Sequence, residues 1–162
     1  MNQSPFSRHI HIRPARAGDD EFILGLIPRL VEAELPPWRR RGECAAGIRA
    51  DVARHLGEQP PGSHLFVAEN DAGQQMGFLH LQTVADHFVD ARNCHIADLA
   101  VAPDCEGCGV GSALLAFAQR WAREHRCRHM TLAVFPGNAR ARALYERHGF
   151  GIDLLRMARP VR

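Results

Sequence analysis

The spacing of apolar residues changes several times along the chain, and each change predicts an element. Residues 9–13 alternate between polar and apolar and predict a first strand. Helical spacing follows over 22–30, after an aspartate pair that suits a helix amino terminus, and Pro36-Pro37 ends this helix. Residues 48–56 predict a second helix, which ends before Pro60.

The middle of the chain is rich in strand patterns. Residues 64–69 and 76–84 flank Asn70-Asp71-Ala72-Gly73, a turn sequence that favours a hairpin. Two further short apolar segments, 94–101 and 130–135, also have the composition of strands.

Two amphipathic helices and a final strand complete the pattern. The helix predicted over 112–125 has an apolar stripe formed by Leu114, Leu115, Ala118, Trp121 and Ala122. Another helix over 139–148 stops at Gly149, and 150–157 predict the last strand. Because strands and helices alternate without repeat or linker, the pattern predicts one α/β (α+β) domain over residues 1–162.

Composition supports a globular domain and excludes several kinds of site. The chain has 162 residues, of which 46% are hydrophobic and 23% charged, enough to form a core. It has neither a signal-like start nor an apolar run near the roughly 20 residues of a membrane span, so a cytoplasmic protein is expected. Its five cysteines fit a reduced chain, and Cys105-x-x-Cys108 lacks the second pair of a structural zinc site, so no metal is expected.

The basic residues are unusual in kind and in distribution. All 20 of Lys+Arg are arginine, which excludes a Schiff-base lysine, a lysine general base and a P-loop lysine. Residues 120–162 carry a net charge of +7, whereas 1–119 carry −5. The basic quarter indicates either a small polyanionic ligand or a solvated helix face. Nucleic acid is not an expected partner, because the whole chain carries only +2 and has few aromatic residues.

Gly107-x-Gly109-x-Gly111 lies between a predicted strand and a predicted helix. Glycine lets a backbone approach a ligand closely, and the first-turn amides of a helix lack partners within the helix. Phosphate oxygens suit such a position. The missing lysine excludes a P-loop, and the 51 residues after Gly111 are too few for a dinucleotide-binding fold. A purely structural turn remains the alternative interpretation.

Two blocks of sequence carry a family resemblance. The first is Leu99-Ala100-Val101-x-Pro103 with Glu106-Gly107-Cys108-Gly109-Val110-Gly111-Ser112-Ala113-Leu114-Leu115. The second is Asn138-x-x-Ala141-x-x-Leu144-Tyr145-x-x-x-Gly149-Phe150. In this order and separation, they resemble the pyrophosphate loop and the following helix of the GNAT superfamily of acyl-CoA-dependent N-acetyltransferases. Ile12-Arg13-Pro14-Ala15 and Asp19 are similar to that family's first strand and turn.

The resemblance implies a mixed sheet of about six to seven strands with about four helices. Acetyl-CoA, the implied cosubstrate, would lie in a cleft between two splayed parallel strands, those at 94–101 and 130–135. Its pyrophosphate would bind the main chain of Gly107, Cys108, Gly109, Val110, Gly111 and Ser112. Its pantetheine amides would pair with Leu99, Ala100 and Val101 as an added strand. Asn138 would hydrogen-bond the pantetheine arm, and Arg142 would assist the phosphates.

The sequence departs from the family pattern at two positions of the loop. Glu106 stands where glutamine or arginine is usual, and Cys108 stands where lysine or arginine is common. An anion at the mouth of a phosphate site should repel the ligand, unless its carboxylate points to solvent or caps the helix. Phosphate binding would then rest on main-chain amides and nearby arginines.

The implied reaction is direct attack of an amine on the thioester, with a main-chain N–H of 99–101 at the oxyanion. Tyr145 is the only tyrosine and falls on the family's tyrosine position. We therefore expect it to protonate the leaving thiolate, the alternative being a tyrosine that only packs.

The general base is left open among Asp98, His95, His80 and a water chain, with Asp98 preferred. Strand alternation puts His95 and Ala97 on one face and Ile96 and Asp98 on the other, unless a bulge intervenes.

The acceptor is expected to be a primary amine of a small molecule or a peptide, and the sequence does not identify it. The cluster Trp38–Arg41 follows the first predicted helix, a region that the resemblance implies to border the acceptor site. It fits either recognition of an acidic or aromatic acceptor or a solvated loop. A non-catalytic acyl-CoA-binding or sensor domain is the alternative to an N-acetyltransferase. A homodimer is a further expectation, and no membrane partner is expected.

Overall fold

The computed structural model describes residues 9–161, which form one mixed sheet with helices on both faces. The sheet has five strands in the order 1-2-3-4-5: His11–Pro14 (β1), Ser63–Glu69 (β2), Gln75–Ala85 (β3), Arg92–Val101 (β4) and Met130–Leu132 (β5). Neighbours pair antiparallel from β1 to β4, and β5 pairs parallel to β4. The predicted fold class is confirmed, although the sheet has five strands where six to seven were expected.

The α-helices of the described residues are Asp20–Gly25 (α1), Arg41–Glu58 (α2), Val110–Glu124 (α3) and Ala139–Arg147 (α4). The first predicted helix is divided, because a 3-10 turn at Ile27–Val31 follows α1 and contains Pro28, whose ring supplies no amide donor. The second begins seven residues earlier than predicted, so the last residue of the basic cluster Trp38–Arg41 is the first residue of α2.

The predicted last strand is wrong. Residues after Arg147 form no regular element within the described chain, and no main-chain hydrogen bond there involves residues 151–161. Ile152, Leu155 and Met157 are 75%, 76% and 90% exposed. An alternating pattern becomes a strand only beside a neighbouring strand, and β5, predicted over 130–135, ends at Leu132.

The two faces of the sheet carry different helices. Consecutive residues of β2 show this directly, since His64 contacts Trp121 of α3 and Ser63 bonds to His55 of α2. Because β3 is covered on both faces, its residues 76–81 are buried without alternation.

A buried carboxylate fastens β1 to the interior. Asp19 accepts two hydrogen bonds from the Arg13 guanidinium, at 2.7 and 3.0 Å, and further bonds from the Arg16 amide and the Gln75 side chain. Arg13 also donates to Glu69 of β2 at 2.9 Å. The guanidinium bond from Arg13 lowers the pKa of Asp19 from 3.8 to about 2.

We predict that this carboxylate contributes to acid stability. A carboxylate whose pKa is lowered on folding stabilises the protein at pH values above its pKa in the unfolded chain. This contribution is lost as the pH falls from about 4 to about 2. Asp19→Asn should lower the free energy of unfolding at pH 7 by about 2 kcal/mol and reduce its dependence on pH below 4. Urea unfolding at pH 7 and pH 3 measures both effects. The control is Asp90→Asn at an exposed position, and identical acid dependence in the two variants would contradict the prediction.

Candidate active site

The parallel strands β4 and β5 pair over only three residues and then separate. Cys94–Ile96 pair with Met130–Leu132, and from Asp98 to Val101 strand β4 has a partner on the β3 side alone. The gap opens into a cavity of about 900 Å³. Its walls include β4 residues 96–101, the glycine loop, residues 132–135 and the inner side of α4. The predicted cleft between splayed parallel strands is therefore present.

A β-bulge decides which β4 side chains share a face. His80 pairs with Asp98 and Leu81 pairs with Ile96, so Ala97 is an extra residue in β4. His80 lies on the α2 face of the sheet, which places Asp98 there too, whereas Ile96 lies on the α3 face. Simple alternation, which put Ile96 and Asp98 on the same face, is therefore wrong at this point.

The glycine loop curls around the amino terminus of α3. Gly107 and Gly109 have φ values of +70° and +81°, which glycine adopts without strain, and Gly109 is the N-cap of α3. An added Cβ at Gly111 would lie 3.1 Å from the Leu144 side chain, so this position brings α3 close to α4. The residues that line the cavity here are Gly107, Gly109, Val110, Gly111 and Ser112, whereas Cys108 lies on the exposed side of the loop.

The negative charge at the loop is offset within the protein. Glu106 forms ion pairs with Arg29 and with Arg140, the latter at 2.9 Å. Arg29 also donates to the Val101 carbonyl at 3.3 Å and to Glu32. The two arginines come from segments far apart in the sequence, so the sequence pattern gave no signal for this compensation.

The α4 segment places Tyr145 and Asn138 on the cavity, but not Arg142. Asn138 Oδ1 accepts from the Ala141 amide at 3.2 Å and caps the helix, while burial raises the pKa of the Tyr145 phenol. Arg142 instead donates to the Pro136 carbonyl at 3.1 Å. The cavity is lined by Arg140 and Arg147 from the same helix, which sequence reasoning missed.

Of the three side chains considered as the base, Asp98 alone lines this cavity. Its side chain is 10% exposed, and its Oδ2 lies 2.9 Å from Nδ1 of the fully buried His80. His95 bonds to the Thr131 hydroxyl at 2.9 Å, and burial lowers its pKa.

A second cavity of about 1170 Å³ adjoins the first. The two share the wall residues Ile48, Ala133, Val134 and Phe135. Trp38 and Arg39 line the second cavity, and the Arg39 guanidinium lies 5.9 Å from the centre of the Phe135 ring. Arg156 and Met157 of the extended carboxy-terminal segment line its outer side. The basic cluster is thus a cavity wall.

Two negative observations hold for residues 9–161. They contain no cluster of three or more histidine, cysteine or acidic side chains arranged to hold a metal ion. No helix in that range has the length and apolar character to cross a membrane.

Comparison with known proteins agrees with this geometry. The sequence model of the Acetyltransferase (GNAT) family matches residues 27–150. Thialysine N-epsilon-acetyltransferase of Bos taurus is 33% identical over 86% of this chain and 83% of its own length. The uncharacterized N-acetyltransferase YhfO of Bacillus subtilis is 31% identical over 89% and 91%.

Solved structures share the fold at lower identity. A putative acetyl transferase from Pyrococcus furiosus superposes with a TM-score of 0.74 at 24% identity, covering 94% of this chain and all of its own. The aminoglycoside N-acetyltransferase AAC(6')-Iy in complex with CoA gives 0.70 at 23%, covering 99% of each chain. With the family model matched over most of its length, the chain belongs to the GNAT family of acetyltransferases, enzymes that use acetyl-CoA as cosubstrate.

Proposed function

We propose that this enzyme transfers the acetyl group of acetyl-CoA to a primary amine by direct attack of the amine on the thioester. One observation carries the proposal: Asp98 and Tyr145 line the same cavity as the glycine loop, within the gap between β4 and β5. A proton acceptor, a proton donor and a phosphate cradle are thereby available to one bound thioester.

Acetyl-CoA would lie along the gap with its pyrophosphate on the amides of Gly107 to Ser112. Its pantetheine amides would pair with the β4 edge at Leu99–Val101, which β5 leaves without a strand partner. Asn138 lies beside this path. Arg140 and Arg147 are better placed than Arg142 to meet phosphates, because they line the cavity.

The amine would attack the thioester directly while both substrates are bound. The amine nitrogen forms a bond to the thioester carbon while Asp98 takes a proton from nitrogen, and a main-chain N–H of β4 stabilises the oxyanion. The carbon–sulfur bond then breaks, and the leaving sulfur receives the phenol proton of Tyr145. Burial raises the Tyr145 pKa, so the phenol stays protonated, and thus a donor, across the neutral range.

The second cavity is the proposed entrance for the amine, because its shared wall leads to the β4–β5 gap. Trp38 and Phe135 suit an apolar or aromatic body, and Arg39, Arg40 and Arg156 suit an acidic group. Relatives named for thialysine and for aminoglycosides supply the first acceptors to try. The expected homodimer and cytoplasmic location stay predictions of the sequence.

An acceptor panel that follows thiol release tests the proposal. It should contain thialysine, aminoglycosides, amino acids, polyamines and amino-terminal peptides. Acetyl-CoA binding without turnover on any of them would favour the non-catalytic sensor alternative, for which Glu106 in the glycine loop leaves room. The ion pairs of Glu106 with Arg29 and Arg140 offset its charge and so support the enzyme.

We expect Tyr145→Phe to lower kcat about 100-fold, because the thiolate then leaves without a proton. The dissociation constant for acetyl-CoA should change little, since the ring still packs near Phe150. Steady-state kinetics and calorimetry separate the two effects. Unchanged kcat would show that Tyr145 only packs.

Asp98→Asn should lower kcat/KM about 100-fold or more, because an amide cannot accept the amine proton. The matched control is Asp104→Asn, an exposed carboxylate close to the glycine loop, which should stay near wild type. Equal activity of both variants would exclude Asp98 as the base and leave His80, His95 or a water chain.

Glu106→Gln should tighten CoA binding about threefold to tenfold, because Arg29 and Arg140 lose their carboxylate partner beside the pyrophosphate. Calorimetry at low and high salt measures this, and the gain should shrink with salt. Glu124→Gln, at the exposed far end of α3, is the control. Weaker binding would show that these ion pairs serve to order the loop.

A further inference from the structure

A continuous run of side-chain hydrogen bonds leads from Asp98 through the protein to the surface of α2. Asp98 Oδ2 lies 2.9 Å from His80 Nδ1, and His80 Nε2 lies 2.9 Å from Ser63 Oγ. Ser63 Oγ lies 2.6 Å from His55 Nδ1, and His55 Nε2 lies 2.9 Å from Arg54 Nη2. We call these five residues the Asp98 chain.

The two ends of the Asp98 chain determine where every proton sits. Arg54 is always a donor, so His55 Nε2 must accept and His55 Nδ1 must carry the proton. Ser63 then accepts from His55 and donates its single hydroxyl proton to His80 Nε2. His80 is left with its proton on Nδ1, directed at the Asp98 carboxylate, which is itself an acceptor. Arg54 at one end and Asp98 at the other therefore require the same direction of donation, from Arg54 toward Asp98. We call this direction the polarity of the Asp98 chain.

Burial makes the loss of any hydrogen bond to the two histidines of the Asp98 chain costly. His80 is fully buried and His55 is 7% exposed, so an unpaired ring nitrogen at either position would carry the full cost of desolvation. Within the described residues, every deeply buried side-chain nitrogen and oxygen has a partner. Burial also lowers the pKa of His55, which favours the neutral ring that the polarity requires.

The charged and titratable groups around the Asp98 chain lie on α2, β4 and β2. On α2 they are Asp51 and Arg54, with Asp51 Oδ1 3.5 Å from His55 Nε2. On β4, His95 interacts electrostatically with both Asp98 and His80. On the other face of β2, His64 interacts electrostatically with His80. Burial lowers the pKa of both of these histidines, so near neutral pH neither adds a competing positive charge.

We propose that His80, Ser63 and His55 are positioning residues that hold Asp98 as an oriented, ionised proton acceptor. The inference rests on the proposed function of Asp98 as the base. His80 engages the Oδ2 atom, which leaves Oδ1 for the amine in the cavity. Such a charge-assisted bond stabilises the anion and fixes the carboxylate plane.

The polarity also excludes outward proton conduction through the resting chain. Each donor points toward Asp98, so a proton taken from the amine finds no acceptor on His80 Nδ1. Asp98 must return that proton through the cavity, to solvent or to a product group. The Asp98 chain therefore holds the carboxylate in place, and every proton transferred in the reaction enters and leaves through the cavity.

The first test does not depend on turnover. Nitrogen-15 NMR of the histidine side chains should show His55 and His80 as neutral rings protonated at Nδ1, the rarer tautomer in free histidine. His55→Gln and His80→Gln variants assign the signals. A ring protonated at Nε2 in His80 would overturn the inference, whether or not an acceptor amine is found.

The second test cuts the chain at its centre. In Ser63→Ala, His80 Nε2 loses its donor and the ring becomes free to present an unprotonated Nδ1 to Asp98. With one fixed acceptor amine, kcat/KM should fall about tenfold, and the acidic limb of its pH profile should move to higher pH, because the carboxylate then holds a proton more readily. Ser63→Thr keeps the hydroxyl and should restore both.

A matched control distinguishes positioning from lost stability. His64→Gln alters the next residue of β2 on the opposite face, where it packs against Trp121 outside the Asp98 chain. It should destabilise the fold while moving the acidic limb much less than Ser63→Ala does. A Ser63→Ala profile that superposes on wild type, or an equal shift in His64→Gln, would overturn the positioning role. If wild type acetylates no amine, the proposed function fails and the NMR result still decides the polarity.

Discussion

The site depends on the point at which β4 loses its partner on one edge. Three residues of parallel pairing join β5 to the sheet, and after the bulge the last four residues of β4 pair only with β3. An edge with unpaired main-chain groups is normally a liability, which proteins cover or shorten. Here the edge lies inside a cavity, and in the proposed function the pantetheine arm of acetyl-CoA pairs with it. The glycine loop, α4 and the second cavity all take their positions around this gap.

The bulge at Ala97 also shapes the site, because it decides which face of the sheet carries Asp98. Without it Asp98 would share a face with Ile96 and point toward α3, away from α2 and from His80. One extra residue therefore moves the Asp98 carboxylate from the α3 side of the sheet to the α2 side, where it bonds to His80. The bulge interrupts the ladder locally, and it places the proposed base beside His80.

The sequence predicted most of the fold, because periodicity and turn residues act locally. The β2–β3 hairpin, α3 with its apolar stripe and the loop at Gly107–Gly111 required only neighbouring residues. Predictions failed where a distant partner decides. The segment 150–157 alternates like a strand and lacks an edge to join, and Arg142 turned to Pro136 while Arg140 and Arg147 reached the cavity. The pairing of Glu106 with Arg29 and the contacts of His80 are equally invisible to local pattern, since they join segments far apart in the chain.

The extended carboxy-terminal segment has an evolutionary consequence. It walls the second cavity through Arg156 and Met157, and among the described residues 151–161 contribute no main-chain hydrogen bond to the fold. Substitutions there alter the shape and charge of one cavity wall with little effect on folding free energy. Under the proposed role of the second cavity, selection for a new amine partner can act on this segment without changing the residues proposed for the transfer step.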